Sequence, residues 1–338
     1  MTNFSDNFTL RGRNTFGLDA TARHWAEFRT NDRLRELILA CRERDLPWYV
    51  LSGGSNIILT GNFPGVVLHP TADGISEPEP GLVRAEAAVV WDDLVGWAVE
   101  RGLGGLENLS LIPGYAGAAP VQNIGAYGAE AKDTIETVEY FDTETLETVR
   151  IAGKDCAFGY RDSVFKGPLR GRAVVTAVEF RLAPEAGGKY TYNIGYGDLR
   201  DRVMELGGPS LKNIRRAVIA IRREKLPDPA VAGNAGSFFK NPVVPAGQAE
   251  ALRRQYPDMP GYPCDNGTQV KIPAAWLIDR AGWKGFRCGT VGVHPRQALV
   301  LVNLGGATAQ EILNLARRII CDVEKKFGIT LSMEVNIL

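Results

Sequence analysis

Residues 102–128 limit the possible fold more than any other stretch of the chain. Glycine stands at 102, 104, 105, 114, 117, 125 and 128, proline at 113 and 120, and Glu107 is the single charged side chain. Glycine costs a helix about 1 kcal/mol per position relative to alanine, and proline removes a backbone donor. No regular element can therefore run through the whole segment, which must form an irregular, close-packed loop. Its small residues, interleaved with Gln122 and Asn123, let backbone press against a flat ligand while amides meet the ligand's edge. A second glycine turn, Ser52-Gly53-Gly54-Ser55-Asn56, offers N–H groups and hydroxyls suited to a pyrophosphate. It lacks the Gly-Lys-Ser/Thr ending of a Walker loop and the G-x-G-x-x-G of a standard dinucleotide fold. Alone it reads as a tight turn; beside the longer segment it reads as half of a ligand cradle.

The surrounding chain alternates helix and strand patterns. Leu34, Leu37, Ile38 and Cys41 recur at helical spacing, followed by strands at 48–51 and 57–59 around the Ser52 turn. A strand from Val83 leads into a helix lined by Trp91, Leu94, Val95 and Val99, with Asp92 and Asp93 near its positive end. Residues 137–141 and 148–151 predict a hairpin, and 173–182 a further strand. After Gly207-Gly208-Pro209, Ser210 predicts the cap of a helix bearing Leu211, Ile214, Val218 and Ile221, and a domain boundary is placed there. Helices follow near 248–255 and 274–281, then a strand at 298–304. Thr308 with Glu311 forms a capping-box signature, Gly328 ends that last helix, and 329–335 predicts a terminal strand.

Bulk composition narrows the class. Lys plus Arg and Asp plus Glu number 39 each, so no global field draws the protein to nucleic acid or an anionic membrane, and anionic ligands must meet local cations. Cys41, Cys156, Cys264, Cys288 and Cys321 form no C-x-x-C pair and no zinc-like cluster, so no metal is expected. The start of the chain lacks a basic-then-apolar pattern, and no apolar run reaches the ~18 residues of a membrane span. A cytoplasmic protein without membrane insertion is expected.

Several longer motifs carry a family resemblance. They are the segment from Gly105 to Gly128, the run Phe158-Gly159-Tyr160-Arg161-Asp162-Ser163-Val164-Phe165-Lys166, and Tyr196-Gly197-Asp198-Leu199. Lys225-Leu226-Pro227-Asp228-Pro229 and Gly233-Asn234-Ala235-Gly236-Ser237-Phe238-Phe239-Lys240-Asn241-Pro242 complete the set. Together they resemble the UDP-N-acetylenolpyruvoylglucosamine reductases, in the subgroup that closes a tyrosine loop over its substrate. The resemblance covers nearly the whole chain. It implies an α+β, three-domain FAD-binding fold of the vanillyl-alcohol-oxidase/PCMH type with a C-terminal substrate-binding α+β domain. The implied segments are 1–70 completed by 328–338, then 71–207, then 208–327. It further implies a monomer that reduces UDP-N-acetylglucosamine enolpyruvate to UDP-N-acetylmuramate for peptidoglycan synthesis, with NADPH as electron donor and non-covalent FAD.

The resemblance assigns catalytic duty to Arg161, Ser237 and Glu334. Hydride added to the methylene carbon of an enolpyruvyl ether leaves enolate-like charge on the next carbon and its carboxylate. A fixed guanidinium at Arg161 would stabilise that charge by roughly 3 kcal/mol on the scale of an oxyanion donor. A protonated Glu334 would assist, and Ser237 would deliver the proton. FAD contacts are implied for Ser52, Gly53, Gly54, Ser55, Asn56, Ile112, Pro113, Gly114, Gly117, Ala118, Gln122, Asn123, Gly125, Ala126, Tyr127 and Arg222. Tyr196, Lys225, Asn241 and Gln297 are implied to contact the nucleotide sugar or the nicotinamide cofactor. Taken singly, each of these residues reads as an ordinary surface or turn residue. Ala118 and Ala119 lack hydroxyls that many relatives carry, and Asn336 stands where some have arginine. Two rivals remain: an FAD-dependent alcohol oxidase of the same fold, and a non-catalytic nucleotide-sugar or flavin binder.

Overall fold

The computed structural model describes residues 4–187 and 190–338. By contact density the chain separates into two compact units. The first comprises Met1–Phe8, Ala22–Gly53 and Phe63–Glu224; the second comprises Thr9–Thr21, Gly54–Asn62 and Lys225–Leu338. Mixed sheets and helices in both units make this an α+β fold.

Besides the two-stranded ladders of Gly125–Ala126 with Ala129–Glu130 and of Leu103–Gly104 with Ala183–Pro184, the first unit contains two larger sheets. One has strand order Ser5–Thr9, Thr21–Phe28, Phe63–Pro70, Trp48–Val50, and Phe63–Pro70 runs parallel to both neighbours. Helix α1 (Asn31–Glu43) starts where Thr30 Oγ1 accepts from Arg33 N. Its Leu34, Leu37, Ile38 and Cys41 are fully buried against Ala26, Phe28, Val66 and Leu68. Burial pushes the Cys41 thiol up to about 11, despite nearby Arg44, so this cysteine is packing rather than chemistry. The other sheet is antiparallel, with order Glu147–Ala152, Ile135–Asp142, Ala173–Arg181, Leu82–Glu86, Ile75–Glu79. Helix α2 (Trp91–Glu100) buries Trp91, Leu94, Val95 and Val99 in one cluster with Val83, Ala85, Val178 and Phe180 of that sheet. The expected hairpin forms, and Asp142 fixes its turn by accepting from Glu144 N and from the Arg172 guanidinium.

Helices α3 (Leu199–Glu205) and α4 (Leu211–Lys225) end this unit. Ser210 Oγ accepts from Asn213 N, as its capping role predicts. The α4 face of Ile214, Val218 and Ile221 packs on Leu199 and Val203 of α3. Contact density divides the chain between Glu224 and Lys225, at the last residue of α4.

Besides a two-stranded parallel ladder, the second unit holds two three-stranded sheets, ordered Val243–Pro245, Gln269–Lys271, Tyr262–Cys264 and Arg287–Cys288, Val291–Val293, Leu301–Asn303. Its helices are α5 (Ala246–Gln255), α6 (Ala274–Arg280) and α7 (Ala309–Phe327). The capping box at Thr308 and Glu311 forms, and Gly328 leaves α7 at a left-handed φ of 63°. Two expected strands differ from their patterns, one shortened and one displaced. Val300 N turns back to Gln297 O, which leaves only Leu301–Asn303 in the ladder. In 329–335 the buried Ile329, Leu331 and Val335 alternate as a strand would, yet the terminal strand is Asn336–Ile337, paired in parallel with Ile57–Ile58. Among the described residues no helix is long and apolar enough to cross a membrane.

Candidate active site

The glycine segment docks by backbone. Trp91 N donates to Gly114 O (2.9 Å), Ala116 N to Val89 O (2.8 Å) and Gly117 N to Ala87 O (3.1 Å). A Cβ on Gly117 would lie 2.8 Å from Ala87 Cβ, so only glycine permits this approach. A Cβ on Gly53 would lie 3.1 Å from Gly114 Cα, which brings the Ser52 turn against the longer segment. Ser52, Gly53, Ile112, Gly114, Ala118, Gln122, Gly125, Ala126 and Tyr127 are each half-buried and Pro113 is exposed, so the two segments keep backbone and small side chains accessible. A flat face built from such residues suits a flat cofactor, and in that chemistry they fit FAD. Gly54, Ser55 and Asn56 fall in the second unit. There Gly54 O accepts from Thr15 N (3.1 Å), and Asn56 O accepts from both Asn336 N (3.1 Å) and Asn336 Nδ2 (3.0 Å). Asn336 thus braces the Ser52–Asn56 turn.

Arg161 sits in a tight turn at φ 56°, closed by Gly159 N to Asp162 O (3.0 Å) and Asp162 N to Gly159 O (3.3 Å). Its Nη2 donates to Gly125 O (3.0 Å) and its Nη1 to Asn123 O (3.5 Å), on the loop that carries the flat face. Arg222 Nε donates to Leu111 O (3.2 Å) from α4. Burial lowers the Arg222 pKa, while Tyr127 and Asp92 oppose that shift. Burial also raises the Tyr127 phenol, against the pull of Arg222. The half-exposed Tyr196 lies edge-on to Tyr127, with ring centroids 5.9 Å apart. Arg161, Arg222 and Tyr196 are therefore all joined to the Leu111–Tyr127 loop.

Asn123 departs from its expected part. It is wholly buried, its Nδ2 donates to Glu130 Oε2 and Gly159 O (3.0 Å each), and its Oδ1 accepts from Lys132 N (3.0 Å). Both amide donors are engaged within the loop and are not available to the edge of a ligand.

In the second unit, Ser237 and Glu334 stand on adjoining backbone segments. Phe238 N donates to Leu299 O and Glu334 N to Phe238 O (2.8 Å each), and Phe239 bridges Met333. Both Ser237 and Glu334 are half-buried. Gln297 Oε1 accepts from Leu299 N (3.3 Å), next to this pairing. Asn241 Oδ1 accepts from Ala274 N (2.9 Å) at the start of α6, and Lys225 is exposed at the end of α4. His294 belongs to a turn in which its N donates to Val300 O (2.9 Å).

Three buried polar residues escaped the sequence reading. Glu107 accepts from Gly105 N (2.7 Å) and Tyr190 OH (2.6 Å), and burial together with that carboxylate drives the Tyr190 phenol far up. Asn108 Nδ2 donates to Tyr127 O (2.9 Å) and Asn193 O (2.7 Å), tying the chain before Tyr196 to the flat face. Asn234 accepts from Gly236 N (2.9 Å) and donates to Ala232 O (2.8 Å), shaping the loop before Ser237. A polar side chain set among apolar and small residues was the available signal.

Comparisons with known proteins point to one family. A family profile described as the C-terminal domain of UDP-N-acetylenolpyruvoylglucosamine reductase matches residues 228–338, and an FAD binding domain profile matches residues 22–151. The UDP-N-acetylenolpyruvoylglucosamine reductase of Pseudomonas aeruginosa is 48% identical over 338 residues, covering 98% of each chain. That of Bacteroides fragilis is 45% identical, covering 98% of this chain and 99% of its own. The crystal structure of the Thermus caldophilus UDP-N-acetylenolpyruvylglucosamine reductase superposes with TM-score 0.69 over 100% of this chain and 99% of that one. At 24% identity it speaks for the fold.

Proposed function

Because the chain belongs to the UDP-N-acetylenolpyruvoylglucosamine reductases, FAD-dependent oxidoreductases of peptidoglycan precursor synthesis, we propose that NADPH is its electron donor and that it adds hydrogen across the enolpyruvyl double bond of UDP-N-acetylglucosamine enolpyruvate. The product is UDP-N-acetylmuramate. FAD held without a covalent bond on the face of Ile112, Pro113, Gly114, Gly117, Ala118, Gln122, Gly125, Ala126 and Tyr127, its diphosphate at Ser52–Asn56 and Arg222 beside it, would carry electrons between the two substrates. We keep the three-segment division as the partition of cofactor and substrate roles.

The residues then divide the work. As hydride reaches the methylene carbon, charge grows on the adjoining carbon and its carboxylate, and the Arg161 guanidinium meets it. Such a preorganised donor is worth about 3 kcal/mol of transition-state stabilisation. The Ser237 hydroxyl gives its proton to the adjoining carbon, which is a far stronger base than an alkoxide's usual partners. Glu334 hydrogen-bonds the developing enolate. Tyr196, Lys225, Asn241 and Gln297 hold the nucleotide sugar. The observation that carries this reading is Arg161, fixed by side-chain bonds to Asn123 O and Gly125 O.

The test is anaerobic. NADPH should bleach the flavin of the purified holoprotein faster than NADH does, and the enolpyruvyl nucleotide sugar should then restore its colour. Flavin that stays reduced after that addition, with oxygen consumption on alcohols instead, would favour the oxidase.

A further inference from the structure

We propose that Asn123 is a positioning residue for Arg161, and not a side-chain contact to the flavin. This rests on the reading above, in which the Arg161 guanidinium meets charge on the enolpyruvyl group. Asn123 touches both ends of the arginine. Its backbone carbonyl receives Nη1 (3.5 Å), while its side-chain Nδ2 donates to the carbonyl of Gly159 (3.0 Å), the residue that opens the turn on which Arg161 is mounted. The second Nδ2 hydrogen goes to Glu130 Oε2 (3.0 Å), and Oδ1 receives Lys132 N (3.0 Å). Glu130 in turn pairs its backbone with Gly125, whose carbonyl takes Nη2 (3.0 Å), and its carboxylate is neutralised by Lys132 Nζ (2.7 Å).

One buried amide therefore joins three things: the turn that carries the arginine, the carbonyls that receive its guanidinium, and the short ladder behind them. Asn123 and Arg161 are both non-glycine residues in the left-handed region, at φ 45° and 56°. Asparagine tolerates that region well, whereas arginine needs its surroundings to hold it there. Gly125 completes the arrangement. A Cβ there would lie 3.0 Å from Ala129 O and from Glu130 Cγ and 3.2 Å from Arg161 Nη1, so a side chain at 125 would crowd both the ladder and the guanidinium.

A guanidinium displaced by a fraction of an ångström still carries its charge, but no longer where the enolate forms. The loss should therefore fall on one half-reaction. In the holoenzyme, Asn123→Gly keeps the left-handed backbone and the carbonyl while removing the amide. It should slow reoxidation of NADPH-reduced flavin by the enolpyruvyl nucleotide sugar about tenfold to a hundredfold, the range expected for a small misplacement. Reduction by NADPH, the FAD dissociation constant, the visible flavin spectrum and the enolpyruvyl sugar's dissociation constant for oxidised enzyme should stay within about twofold. Glu130→Ala, which removes the acceptor of one Nδ2 hydrogen, should show the same pattern, and it carries the test if Asn123→Gly does not fold. Both half-reactions slowing alike, or FAD binding weakening with them, would show that Asn123 serves the cofactor or the fold and overturn the proposal. Arg161→Ala separates the two levels. If it slows reoxidation and the other variants do not, only the positioning role fails. If it leaves reoxidation unchanged, the catalytic role of Arg161 fails first.

Discussion

Arg161 is held in place through its side chain, which reaches across to the carbonyls of Asn123 and Gly125, whereas Ser237 is placed by main-chain bonds on either side of it. Gly236 N is anchored on Asn234 Oδ1 (2.9 Å), and Phe238 donates to Leu299 O and accepts from Glu334 N (2.8 Å each). The difference matches the two chemistries proposed for these residues. A stabilising cation is useful only with its charge fixed at one point, so its fork of donors is fastened. A proton donor must swing its hydroxyl during the reaction, so its backbone is fastened and its Oγ can turn.

Replacing the two residues should break the comparison in distinct ways. Ser237→Ala is expected to have the largest effect, lowering reoxidation by the enolpyruvyl sugar by roughly 10²–10⁴-fold, as removal of a general acid does. Flavin reduction by NADPH should be untouched, and single-turnover absorbance traces would show both. Equal loss in both half-reactions would remove Ser237 from the proton-donor role. Arg161→Lys keeps the charge but loses the planar fork that matches two carbonyls. It should cost about 10²-fold in the same step, near the value of one oxyanion donor. Full activity in Arg161→Lys would mean that charge alone suffices and that the fixed geometry is incidental.

Asn234→Ala sharpens the other side of the comparison. It removes the acceptor of Gly236 N and a donor to Ala232 O in a residue only 3% exposed. Leaving buried groups unpaired should lower unfolding free energy by about 2 kcal/mol, read from a urea midpoint. If main-chain anchoring places Ser237, reoxidation should also slow by about tenfold. A stability loss with reoxidation intact would mean that Phe238 and its partners place the serine without help from the loop before it.

Much of the framework was legible because its causes are local. The apolar face of α1, the Ser210 and Thr308 caps and the Gly328 stop are each written within a few residues of the element they shape. Both glycine segments were legible as irregular backbone because glycine content alone excludes regular structure. The polar supports of the site were not. Glu107 meets Tyr190 across 83 residues and Asn108 meets Asn193 across 85, and no spacing rule reports a partner that distant. The left-handed Arg161 was hidden for a related reason. Tyr160-Arg161-Asp162 contains no glycine; the Gly159–Asp162 backbone pair, Lys166 Nζ on Arg161 O (3.2 Å) and the side-chain contacts to Asn123 and Gly125 hold that conformation, and no spacing reports them. The terminal strand was misplaced because burial alternates over 329–335, where the backbone forms only a bridge of Met333 to Phe239, while the paired strand Asn336–Ile337 follows it.

Thr308→Ala should have the smallest effect and no catalytic one, which makes it the reference against which the others are judged. Thr308 Oγ1 accepts from Glu311 N (3.2 Å), and Glu311 Oε2 accepts from Thr308 N (2.8 Å) and from Thr308 Oγ1 (2.8 Å). Removing the hydroxyl loses two of these three bonds at the start of a 19-residue helix and leaves residues 233–241 and 334 unaltered. The midpoint of thermal unfolding should fall by about 3 °C, the usual consequence of a lost cap in a domain of this size. The bonds from Thr308 also hold the Glu311 pKa below its ordinary 4.5. A depressed carboxylate pKa gives stability that is present above the ordinary value and is lost as pH falls through the depressed one. The gap in midpoint between wild type and Thr308→Ala should accordingly be full at neutral pH and narrow below about pH 4.5. A gap that widens in acid would mean that Glu311 is held by something other than this cap.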